Sequence, residues 1–174
     1  MSKKYVVTII AVCAIICLSA MASGRKMPTS EWDKKFMASI EVQVLSKKDD
    51  IKIASITDFK WDRGCIEKGD DSEPYGAYDS LRRLKNTPGG IPDFEQVLPR
   101  EPYQLIFLFF NQGKIIKAEG LWQNEIGSAE QKIFLEKQSR KLINGRCFTS
   151  GGGHISVYSR DGVMYAAVYE KGMK

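Results

Sequence analysis

Tyr103-Gln104-Leu105-Ile106-Phe107-Leu108-Phe109-Phe110 is the run that decides the fold. From Leu105 onward it is apolar at every position, so a strand here has to be covered on both faces. It is predicted to lie in the middle of its sheet. Asn111-Gln112-Gly113 then supplies turn chemistry, and Lys114-Ile115-Ile116-Lys117-Ala118-Glu119-Gly120 is predicted to return antiparallel as a hairpin. A second hairpin is predicted near the C-terminus, where residues 154–160 and 163–169 flank Asp161-Gly162, a two-residue turn signal.

Working outward, Phe59, Trp61, Arg63 and Cys65 share one face of any strand through residues 57–66, with Lys60, Asp62, Gly64 and Ile66 on the other. Ile40, Val42 and Val44 alternate with Glu41, Gln43 and Leu45, which predicts a further strand. Lys47-Lys48-Asp49-Asp50 reads as a solvated charged turn, and residues 67–76 as a polar surface loop. Three short helices are expected. Trp32, Phe36 and Ile40 recur at a spacing of four after Ser30, a possible N-cap. Asp79 is placed to cap residues 80–85. Ser128-Ala129-Glu130-Gln131 has capping-box spacing ahead of a helix over about residues 129–142, ended by Asn144-Gly145. Strands dominate and are joined by short turns rather than crossover helices. The expected fold class is therefore α+β: a mostly antiparallel β-sheet with two or three short helices in a single domain.

The other end of the chain predicts where it works. Lys3 and Lys4 precede an apolar core from Tyr5 to Leu18, and Ser19-Ala20-Met21-Ala22 closes it with an A-x-A arrangement. That is the plan of a cleavable signal peptide over residues 1–22, leaving residues 23–174 as one exported α+β domain. The rival is an uncleaved anchor, since 18 apolar residues approach the length that spans a bilayer. Lipidation at Cys13 or Cys17 is disfavoured because Val12 and Ile16, not small residues, precede them. The expected location is the periplasm, with no stable membrane anchor after cleavage.

Two of the 26 Lys and Arg and none of the 21 Asp and Glu lie in residues 1–22, so the mature chain carries only +3. A nucleic-acid reader would concentrate its cations on one face, and none is expected here. Cys65 and Cys147 are the cysteines that remain. In an oxidising compartment two leftover thiols usually pair, and this pair would close a loop of about 80 residues, worth roughly 4 kcal/mol in the chain-entropy model. Two cysteines and the single His154 lack metal-ligand spacing, so neither a metal nor another cofactor is expected.

Thr57-Asp58-Phe59-Lys60-Trp61-Asp62 resembles a T-D-F-x-W-D signature of small exported bacterial proteins. A Pro-Tyr pair often follows it; here Pro74-Tyr75 comes after an inserted acidic loop, and Gly64-Cys65 replaces bulkier positions. The resemblance covers about a fifth of the mature chain and implies no catalytic residues. On physical grounds Phe59 and Trp61 are expected to anchor the core and Asp58 and Asp62 to accept backbone donors, with acid–base work by the Asp pair as the rival. His154 beside a Cys147 thiolate would be a hydrolase pair, but a disulfide uses Cys147 otherwise. Ser150-Gly151-Gly152-Gly153 lacks the Gly-Lys-Ser/Thr ending of a phosphate loop.

Glu67, Asp70, Asp71 and Glu73, flanked by Tyr75 and Tyr78, form the expected partner-binding set: an acidic patch edged by aromatic residues. The expected function is an exported, non-catalytic binding protein whose partner is another protein. The concrete version is an immunity-type inhibitor of an envelope-targeted toxin. The alternatives are an accessory component of a pilus or secretion machine, and a small periplasmic hydrolase working through Asp58/Asp62 or His154.

Overall fold

The computed structural model describes residues 34–35, 38–39, 42, 50–69, 75–85, 88, 91, 94–98, 100, 102–121, 125–127 and 132–173. Among these are nine strands: β1 (Asp50–Lys52), β2 (Arg63–Lys68), β3 (Leu105–Asn111), β4 (Lys114–Leu121), β5 (Glu125–Gly127), β6 (Lys132–Lys137), β7 (Cys147–Thr149), β8 (Gly153–Arg160) and β9 (Val163–Glu170). They form two sheets, one ordered β1-β8-β9-β6-β5 and the other β4-β3-β2-β7.

The apolar run behaves as its composition demands. β3 sits between β4 and β2, and Leu105 through Phe110 are all buried. Its alternation divides two cores. Leu105, Phe107 and Phe109 face the five-stranded sheet, meeting Ile51, Ile133, Leu135, Ile155, Ala166 and Val168 in the space between the sheets. Ile106, Leu108 and Phe110 face the other way, under Ala77, Tyr78 and Leu81 of the helix Gly76–Leu84 and under Phe94, Leu98 and Tyr103. Each fully buried Phe contributes about 1.5–3 kcal/mol, so the two cores together dominate the energetics. The layers are sheet, sheet, then helix with its neighbouring 3-10 turn (Phe94–Gln96).

Both predicted hairpins form. Gln112 and Gly113 (φ 50° and 78°) turn β3 into β4, and Asp161 and Gly162 (φ 53° and 77°) turn β8 into β9. Paired left-handed residues match the twist of the flanking strands, and glycine takes that region without a Cβ penalty.

The expected α+β class is corrected: the protein is mostly β, with two sheets rather than one, and helix is a minor part. Three local expectations fail for identifiable reasons. The stretch expected as a helix over 129–142 holds β6 and a 3-10 turn (Ser139–Lys141) instead. Ile133 and Leu135 are buried while Phe134 and Glu136 are half-exposed, a period of two, and β6 pairs parallel to β9. The Ser128-Ala129-Glu130-Gln131 capping box lies outside the described residues. Val42 is helical rather than extended, like Lys34, Lys35, Ala38 and Ser39; Trp32, Phe36, Ile40 and Val44 lie outside the described residues. The helix Gly76–Leu84 begins earlier than expected. Asp79 lies within its first turn, 3.7 Å from Arg100, and does not cap it.

Cys65 and Cys147 are directly opposite one another on β2 and β7 and form a disulfide across a separation of 82 residues. No described helix is long and apolar enough to cross a membrane.

Candidate functional site

The T-D-F-x-W-D segment precedes β2 and is irregular rather than a strand. Its side chains are spent on the fold. Trp61 is buried, edge-on to Phe109 at 5.2 Å and to Phe148 at 5.8 Å, while its indole N–H donates to Thr57 Oγ1 at 2.9 Å. Phe59 packs edge-on to Phe109 at 5.1 Å. The Asp62 carboxylate accepts from the Gln112 backbone N–H at 2.6 Å, which holds the β3–β4 turn. Exposed Asp58 pairs with Lys35 at 3.0 Å, and that hydrogen bond holds its carboxyl below the usual range. Gly64, on β2, leaves room for Phe148: a Cβ there would come within 2.3 Å of the ring.

Two members of the expected partner-binding set, Glu67 and Tyr78, are buried. Glu67 is buried on β2 and pairs with Lys137 at 3.2 Å. Tyr78 is buried against Phe94 at 5.3 Å. Both belong to the core because residues 67–68 and 76 onward are regular structure, not the polar loop their composition suggested. Tyr75 is half-buried beneath the Arg100 guanidinium at 4.8 Å. Asp70, Asp71 and Glu73 lie outside the described residues.

The triple glycine has a steric duty. Glu170, at the end of β9, is buried and accepts from the Thr149 backbone N–H and hydroxyl, each at 2.8 Å. The Gly152 N–H donates to Thr149 Oγ1 at 3.0 Å. A Cβ at Gly152 would lie 1.9 Å from Glu170 Oε1, so only glycine lets the carboxylate close this turn.

The densest polar constellation was missed in the sequence. It lies on the face of the five-stranded sheet turned away from the other sheet. His154 Nδ1 is 2.6 Å from Asp50 Oδ1, Tyr169 donates its hydroxyl to the same oxygen at 3.1 Å, and Lys171 Nζ reaches Asp50 Oδ2 at 3.0 Å. Three strands build it: Lys52 pairs with His154, and His154 with Tyr169. Burial works against charge on Asp50, but its bonds to Lys171, His154 and Tyr169 prevail and hold the carboxyl below the usual range. Burial, then the bond to Asp50, pushes Tyr169 up to about 12. A carboxylate with three donors has few lone pairs to offer, so this cluster fastens the short edge strand β1 to β8 and β9.

Along the same face, Tyr158 stacks on Tyr165 at 5.6 Å, Phe134 adjoins Tyr165 at 5.9 Å, and Arg160 lies over the Tyr165 ring at 4.4 Å. Tyr158 donates to Glu136; burial first, then that bond, raises its hydroxyl to about 12. A His–Asp pair and an aromatic ladder thus share one sheet face, with Ser156 and Ala167 paired between them. Among the described residues no group of three or more His, Cys, Asp and Glu is arranged to hold a metal.

No family model, curated protein or solved structure matches the chain.

Proposed function

We propose that this chain is an exported, disulfide-bridged binding protein that acts by contact with another protein, its concrete form being an immunity-type inhibitor of an envelope-targeted toxin. The observation that carries the export half is the Cys65–Cys147 bridge, since such bonds persist where thiols are oxidised. Support for contact rather than catalysis comes from how the chemistry-bearing groups are employed. Asp62 holds a turn, Glu170 accepts two donors and Asp50 three, and Cys147 is oxidised. The half-exposed tyrosines of the five-stranded sheet are residue types that anchor protein interfaces.

The test is fractionation of the producing cell with N-terminal sequencing and thiol counting, followed by co-purification with the product of the adjacent reading frame. The reading expects a periplasmic chain starting near Ser23 without free thiols, in complex with a toxin. Intact chain in the cytosol with both thiols free defeats the export half. An envelope machine in place of a toxin replaces the immunity version with the assembly version.

A further inference from the structure

The excursion between β6 and β7 carries a charge pattern that the fold does not use. Residues 137–146 contain Lys137, Arg140, Lys141 and Arg146 and no acid. Lys137 is neutralised by Glu67 at 3.2 Å. Among the described residues, Arg140, Lys141 and Arg146 make no ion pair.

The excursion is rigid. Leu142 is buried in the core between the sheets, and Ile143 packs into the second core and bridges to Cys147. Lys141 donates its backbone N–H to Gln138 and Gly145 to Leu142, at 2.8 and 3.0 Å. The turn at Asn144 and Gly145 brings the chain back on itself, so that a Cβ at Gly145 would lie 3.7 Å from the Ser139 carbonyl. Arg140 and Arg146 each stand one residue from that approach. The exposed Arg140 and Lys141 and the half-buried Arg146 therefore share one compact knuckle. Arg146 Nη1 is sealed from solvent with no hydrogen-bond acceptor among the described residues.

We propose that this knuckle is an anion-binding surface that presents Arg140, Lys141 and Arg146 to a carboxylate-rich segment of another protein. Charge complementarity selects the occupant. Three cations on one tight turn match a few neighbouring carboxylates, whereas a nucleic-acid backbone would need a longer cationic track. Leu142 and Ile143, pulled inward between them, keep the three charges in a fixed arrangement that a flexible tail would lack. The knuckle belongs to the excursion between β6 and β7 and not to the tyrosine face, so it stands or falls separately from the function proposed above.

The test uses the purified protein with its disulfide intact and a fluorescein-labelled decaglutamate peptide, read by anisotropy at low salt. Saturable binding is expected, weakened at least tenfold in R140Q/K141Q and unchanged in K114Q, with far-UV circular dichroism matching the parent in both. R146K, which keeps the charge, is expected to bind within a few-fold of the parent, and R146Q to bind more weakly. Absence of saturable binding overturns the proposal, as does equal affinity in R140Q/K141Q. Displacement of the peptide by inorganic phosphate or a short DNA duplex at matched charge overturns the assignment to a carboxylate partner.

Discussion

Trp61 shows how much one residue can settle. Its ring fills the space between Phe109 and Phe148, and its N–H has its acceptor four residues back. W61A is expected to cost about 3–5 kcal/mol, and T57V, which strands a buried donor, about 1–3 kcal/mol; urea unfolding monitored by circular dichroism measures both. Asp50 gives a pH prediction. Its folded pKa is depressed, so the stability it contributes is present above the ordinary carboxylate pKa and lost as pH falls through the folded value. D50N should therefore be less stable than the parent at pH 7, by at most about 1 kcal/mol for a partly exposed pair, and the difference should close as pH falls through the depressed folded value. Tyr158 and Tyr169 shift the other way: their neutral forms are favoured, so their contribution is complete below about pH 10 and fades as pH rises towards 12. Absorbance at 295 nm should show a late tyrosine titration in the parent, and Y169F should remove one late step.

The elements differ in what holds them. β4 is an edge strand whose pairing with β3 slips between Phe109 and Phe110, leaving Ile116 unpaired and 43% exposed. The bulge and the Lys117–Glu119 pair beside it are devices that keep an edge from recruiting another strand. Deleting Ile116 should straighten β4 and promote association, which size-exclusion chromatography at rising concentration would show; a strictly monomeric deletion variant would refute this. At one edge of the five-stranded sheet, β1 has three residues and depends on the Asp50 cluster, so its amides should exchange faster than those of β8 and β9.

For the molecule as a whole, the bridge from Cys65 to Cys147 ties the short strand β7 to β2. C65S/C147S should lose roughly 4 kcal/mol if chain entropy governs, seen as a lower urea midpoint that reducing agent does not lower further. The two sheets share one core through alternate residues of β3, so a large-to-small change at Phe107 should unfold both together in one cooperative transition.

Local chemistry was enough to read β3, the turns at Gln112-Gly113 and Asp161-Gly162, and the pairing of the two cysteines. A doubly apolar run has to be central, left-handed pairs suit Gly-containing turns, and Cys65 and Cys147 are expected to pair once Cys13 and Cys17 are read as part of a signal peptide. Tertiary contact decided the rest. Ile133-Phe134-Leu135 fits a helix or a strand equally well until β9 offers a parallel partner, and a run that short has no period of its own to choose by. Glu67 and Tyr78 look solvated by composition but are buried by neighbours distant in sequence. Asp50 and His154 are 104 residues apart, so nothing in either segment announces that register places them side by side; proximity across a sheet is a property of the folded chain alone.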